Sequence, residues 1–223
     1  FYGEGWTMST VLTKDAQLAT QTNAKNTPNF AYFSDNIRNL VKGNTFGGVS
    51  AGFISGGAAN TMDLNACFRG MPSWCPSPSQ SINYISCHDN NTLFDHIMMA
   101  AKNNTTEEHI SMNKLGVAFY MTAQGIPFMQ AGEEILRTKP AKKGGFDENS
   151  YRSADKVNSI KWEDLDKELY QKNVAYYKGL IQFDESEDAQ KYHNSRMTSL
   201  IKKRDALKKA GQNVEDIEKI ING

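Results

Sequence analysis

A parallel α/β fold is what this sequence predicts, on three observations. Short apolar or aromatic runs alternate with polar loops and with helices of regular apolar spacing. Clusters of Gly, Pro, Asn and Asp bound those runs, as residues that end strands and open turns do. Three runs end on unusual polar groups, namely Glu4, His88 with Asp89, and Gln130 through Glu134. Strand ends are where α/β folds carry their chemistry.

Phe1 to Trp6 is an aromatic run broken by two glycines around one glutamate, and it reads as the end of a strand, so the true amino terminus is expected upstream. A stretch rich in Thr, Asn and Gln runs to Pro28 and is expected to be loop with at most a short helix. Phe30-Ala31-Tyr32-Phe33 is the next strand, and Ser34-Asp35-Asn36 supplies cap residues for a short helix through Leu40-Val41. Gly43 to Gly57 is glycine-rich and irregular. Pro72, Pro76 and Pro78 exclude a helix interior between Arg69 and Gln80.

Ile82 to Ser86 has strand composition and runs into Cys87-His88-Asp89-Asn90-Asn91. Thr92 then opens a helix with Leu93, Phe94, Ile97, Met98 and Ala101 on one face. Thr105-Thr106-Glu107-Glu108 has the form of a cap for a longer helix, predicted to bury Ile110, Leu115, Val117, Ala118, Tyr120 and Met121 and to stop at Gln124-Gly125. Ile126 to Gln130 is the following strand, with Gly132-Glu133-Glu134 as its exit. A polar loop leads past Gly144-Gly145 to Asn149-Ser150-Tyr151, and a last helix is expected around 173–183. From Asp184 the chain changes character: about two in five residues are charged, with apolar spacing that fits a solvated helical hairpin over 184–223.

Composition excludes several classes of partner. The 25 basic and 25 acidic residues cancel to a net charge of +0. A protein held to nucleic acid or to an anionic membrane by bulk charge shows a basic excess, so neither partner is expected. No apolar run approaches the roughly 18 residues of a membrane span. The 3 cysteines lack metal or disulfide spacing, and free cysteines lean towards a cytoplasmic setting although the compartment stays open. No recognised metal-ligand spacing occurs, and no cofactor is expected.

Taken alone, Glu4 between glycines could be a turn residue in solvent, and His88-Asp89 a capping pair. Tyr2 and Trp6 on either side could instead desolvate Glu4, as a general acid requires. An aspartate on a second strand end could face it across a glycosidic bond.

Five motifs in order carry a resemblance to type I pullulanases of the α-amylase superfamily. Tyr2-Gly3-Glu4-Gly5-Trp6 resembles their general-acid segment, and Ile82 to Asn90 resembles the later motif that holds the sugar at the cleavage subsite. Phe33 to Asn39 with Gly43, Gln124 to Glu134 with Leu136 to Lys139, and Asn149-Ser150-Tyr151 with Asp155, Val157-Asn158 and Trp162 resemble further segments of the same enzymes. The resemblance covers residues 1–183 and implies the second half of a (β/α)8 TIM barrel, from the end of strand five to helix eight, followed by the α-helical hairpin of 184–223. It implies retaining hydrolysis of α-1,6 linkages in pullulan, glycogen or limit dextrin. Glu4 matches the acid/base, Asp89 the carboxylate that grips ring hydroxyls, and His88 its neighbour; Trp6, Asn149 and Tyr151 match substrate-lining positions.

The sequence departs from the family in three places. The family's nucleophilic aspartate lies on an earlier strand, and no Arg-Phe-Asp occurs here, so the chain alone is expected to be inactive. Phe94 stands where the family has tryptophan, and similarity stops near Phe183. Half a barrel would leave open edges and an uncovered inner face, so the chain is expected to be marginally stable or to self-associate. A carbohydrate-binding remnant without turnover, a docking role for the tail, and isoamylase-like or branching-type specificity are the competing readings.

Overall fold

The computed structural model describes residues 1–8, 12 and 17–184, together with 202, 205, 206 and 209. The hairpin expected over 184–223 therefore lies almost wholly outside the described residues.

Four parallel strands form one sheet in chain order. They are β1 (Tyr2–Gly3), β2 (Ala31–Phe33), β3 (Ser81–Asn83) and β4 (Ile126–Pro127). Tyr2 pairs with Ala31, Phe33 with Ile82, and Ile82 with Ile126. Parallel neighbours need long crossovers, and here helices supply them: α1 (Asp35–Val41) and α2 (Thr61–Phe68) between β2 and β3, then α3 (Leu93–Ala100) and α4 (Thr106–Thr122) between β3 and β4. After β4 come α5 (Asp155–Asn158) and α6 (Glu168–Asp184).

The strands are shorter than their apolar runs. Ladder bonds continue one residue past them, Ser34 N–H to the Ile82 carbonyl at 2.9 Å and Phe128 N–H to the Asn83 carbonyl at 2.8 Å, before the chain turns into the loops. Pro127 has no N–H to give, which limits β4. Gly125, in the turn from α4 to β4, has φ +136°, and a Cβ there would stand 2.8 Å from the Ser81 carbonyl oxygen. Only glycine fits that approach.

Helix starts follow the expected chemistry. Thr105 and Glu108 bond reciprocally at 2.7 and 3.3 Å, and the Thr92 hydroxyl accepts from Asp95 N–H at 3.1 Å. Ser34 occupies the position before α1 but makes no side-chain capping bond. Helix α2, capped by Asn60 accepting from Asp63 N–H at 2.8 Å, is an element the apolar spacing did not reveal. Its only buried residue is Cys67, so its sequence carries little helical stripe. The last helix begins at Glu168, one turn and more before the expected start.

The core lies between sheet and helices, with Ile37, Val41, Ile85, Leu93, Ile97, Val117, Tyr120 and Tyr177 all buried. Leu115, expected in that core, is 45% exposed. The buried face of α4 runs through Ile110, Asn113, Val117 and Tyr120, and at 100° per residue Leu115 falls off it. By strand alternation the other face of the sheet presents Tyr2, Ala31, Phe33, Ile82, Tyr84, Ile126 and Phe128. Near its start that face borders an open apolar hollow of about 490 Å³, lined among others by Phe1, Phe30 and Ile126. No helix among the described residues is long and apolar enough to cross a membrane.

Candidate active site

A second cleft, of about 440 Å³, opens where the four strands end. Its floor is aromatic. Phe33 leaves β2 with its ring edge-on to Tyr84 and to Phe128, both centroids 5.0 Å away. Three successive strands thus deliver one ring each to the same face, as a two-residue period requires.

Glu4 follows β1 directly. Gly5 behind it has φ +74°, and a Cβ there would meet the Tyr32 ring at 2.6 Å, so the chain turns at Glu4 only because position 5 is glycine. His88 and Asp89 come from the loop after β3, where Asn90 adopts φ 60°. One carboxylate oxygen of Glu4, one of Asp89 and a ring nitrogen of His88 lie within 4.8 Å of one another. His88 Nε2 is 3.4 Å from Asp89 Oδ1. All three side chains are exposed. The flanking aromatics do not bury Glu4: Tyr2 is itself 68% exposed and turns its ring towards Phe33.

Such a trio could in principle share a cation, and it is the one group of this kind among the described residues. Two carboxylates beside an imidazole equally make an acceptor-rich set for sugar hydroxyls, and exposed acidic groups need no ion to sit together.

The cleft wall contains residues that the sequence did not single out as site residues. Arg38 in α1 is buried, donates from Nη1 to the Tyr84 hydroxyl at 2.7 Å and from Nε to Asn39 Oδ1 at 3.0 Å. Its guanidinium faces the Phe46 and Tyr84 rings at 5.4 and 5.6 Å. Asn44 bonds both backbone groups of Phe46, donating to its carbonyl at 2.7 Å and accepting from its N–H at 3.2 Å, which holds that exposed ring in the cleft. Burial pushes the Tyr84 phenol up, so it stays neutral and acts as an acceptor for Arg38. Asp35 and Glu148 complete the polar lining. Local spacing could not have found these, because they meet only through the sheet register.

Of the expected substrate-lining positions, Trp6 and Asn149 line the cleft. Tyr151 does not: it is 69% exposed, with its ring under Arg152 at 5.2 Å. It is the middle residue of a short turn of helix, Ser150–Arg152, that carries the ring away from the strand ends. Cys87 lines the cleft too, and burial raises its thiol, so it is no ready nucleophile.

No family model matches the chain. Individual proteins do. The chain is 35% identical over 186 residues to a pullulanase of Bacillus subtilis (strain 168), a match covering 81% of this chain and 25% of that protein. It is 34% identical to pullulanase A of Streptococcus pneumoniae serotype 2, over 84% of this chain and 18% of the relative. Among solved structures, a pullulanase from Anoxybacillus sp. LM18-11 complexed with maltotetraose superposes with a TM-score of 0.75 at 36% identity, over 83% of this chain and 26% of that one. Type I pullulanase from Bacillus subtilis complexed with maltose gives 0.74 at 34% identity, covering 82% and 25%. The chain therefore spans a quarter or less of the curated relatives named here.

Proposed function

We propose that this chain, which belongs to the pullulanase family, forms the part of a (β/α)8 barrel from the end of strand five to helix eight and supplies the acid/base of α-1,6-glucan hydrolysis. The convergence of Glu4, His88 and Asp89 within 4.8 Å, over an aromatic floor at the ends of parallel strands, carries this reading. The substrate is an α-glucan with α-1,6 linkages, of the pullulan, glycogen or limit-dextrin class.

Glu4 protonates the glycosidic oxygen as the bond to the anomeric carbon breaks, and the leaving chain departs as an alcohol. A nucleophilic carboxylate from another part of the barrel traps the anomeric carbon. Glu4, now a carboxylate, takes a proton from the water that releases the sugar. Asp89 accepts hydrogen bonds from ring hydroxyls at the cleavage subsite and favours the flattened, positively charged sugar, while His88 supplies a neighbouring contact. Trp6 and the Phe33–Tyr84–Phe128 floor offer apolar faces to the sugar rings.

Co-expression with a segment carrying the remaining barrel strands tests the assignment. The mixture releases linear maltooligosaccharide from pullulan, and Glu4→Gln abolishes release. A substituted protein that retains the full rate overturns the acid/base role.

A further inference from the structure

Behind the cleft lies a buried polar cluster that the hydrolytic scheme does not use. Glu133, just after β4, is 4% exposed. Its Oε1 accepts from the Ser86 hydroxyl in a short hydrogen bond, and its Oε2 accepts from the Tyr120 hydroxyl of α4 at 3.0 Å. Ser86 is wholly buried and is the last residue before Cys87-His88-Asp89. At the other end of the same loop, Lys42 reaches the Asn91 carbonyl with its Nζ at 3.5 Å. Lys42 is 1% exposed and sits at the end of α1. Lys42 favours the ionised form of the Glu133 carboxyl, against the larger effect of burial.

A buried carboxyl and ammonium cost several kcal/mol each in desolvation, and apolar side chains would fill that volume without the penalty. What the polar pair adds is direction. Glu133 takes the Ser86 side chain and Lys42 the Asn91 carbonyl, at the two ends of a segment that has no further regular structure: His88 and Asp89 are exposed between these two anchors. Burial raises the Glu133 carboxyl to about 7, and the Ser86 and Tyr120 hydroxyls and Lys42 pull it back down.

We infer that Glu133 and Lys42 are positioning residues, which hold the two ends of the 86–91 loop through Ser86 and the Asn91 carbonyl and so fix where His88 and Asp89 stand opposite Glu4. The effect on ligand binding rests on the proposed sugar site; the anchoring itself does not.

Backbone amide order parameters of Cys87 to Asn91, measured by NMR on the full 223-residue chain, test the anchoring. Ser86→Ala and Glu133→Ala are expected to drop them from the rigid value of about 0.85 to below about 0.6. Glu133→Gln, which keeps one acceptor oxygen, restores part of the order. Tyr177→Phe removes another buried hydroxyl from the same core, the donor to Asn113 at 3.1 Å, and leaves the loop unchanged. If Glu133→Ala does not fold, Ser86→Ala carries the comparison, since it removes one oxygen and leaves the carboxyl in place. Unchanged loop order in Ser86→Ala, or equal loosening in Tyr177→Phe, overturns the inference.

Titration with maltotetraose separates this from the sugar-site reading. Loosened variants are expected to bind it at least about threefold more weakly, a smaller loss than the roughly tenfold expected of Asp89→Ala. A loosened loop with affinity unchanged in every variant, Asp89→Ala included, upholds the anchoring and contradicts the sugar site instead.

Discussion

Glu4 and Asp89 leave different strands of one parallel sheet and bring carboxylate oxygens within 4.8 Å of each other. That spacing lets both address one glycosidic linkage. In the co-expressed assembly proposed above, Glu4→Gln is expected to cut turnover of pullulan by roughly 10²–10⁴-fold, the range for a lost general acid/base, with KM changing little. Steady-state kinetics on pullulan checks it. A comparable loss confined to KM would assign Glu4 to binding alone.

Arg38 and Tyr84 support the cleft floor from inside. Tyr84→Phe removes the acceptor at 2.7 Å from a buried guanidinium and is expected to cost about 1.5–3 kcal/mol of stability in urea unfolding. Arg38→Lys is expected to cost a similar amount despite keeping the charge, because an ammonium lacks the fork of donors that bonds Tyr84 and Asn39 together. Full stability in Arg38→Lys would contradict that account of the wall.

Glu133 gives a pH signature. Its carboxyl is raised from 4.5 to about 7, mainly by burial, so the native chain keeps a proton that the unfolded chain releases between those values. Stability from this group is therefore complete below about 4.5 and is lost as pH rises towards 7. Glu133→Gln mimics the protonated form throughout. Its stability relative to wild type is expected to rise by up to roughly 3 kcal/mol across that window, at 1.36 kcal/mol per pH unit. Asp95 and His96, also shifted, titrate in both proteins and cancel. Urea unfolding at several pH values reads the difference; a flat one contradicts the buried, raised carboxyl.

The free face of the sheet predicts association. Phe1, Tyr2 and Ile126 are 92%, 68% and 43% exposed beside an apolar hollow, and a face of this kind is covered in closed α/β barrels. Sedimentation of the chain is expected to show mass rising with concentration, and Ile126→Lys to reduce it. A monomer at all concentrations would contradict this.

Much of the fold was legible from the residues. The capping box at Thr105 and Glu108, the helix opened by Thr92 and the places of the strands along the chain follow from local chemistry. Helix α2 was not legible because its single buried side chain leaves no stripe, and Leu115 was misplaced because an apolar residue on a helix need not fall on its buried face. The site divides in the same way. Glu4, His88 and Asp89 stand at strand ends and could be found there, whereas Arg38, Tyr84 and Phe46 become a wall only when β2 and β3 pair. Tyr151 was expected in the cleft from its position in a motif, and a single helical turn takes it out.

The most direct test of the central claim is calorimetric titration of maltotetraose into the chain and into Asp89→Ala. The account predicts binding to the former and at least about tenfold weaker binding to the latter, a loss of about 1.4 kcal/mol. Equal affinity in the two proteins would mean that the meeting of Glu4, His88 and Asp89 does not hold sugar.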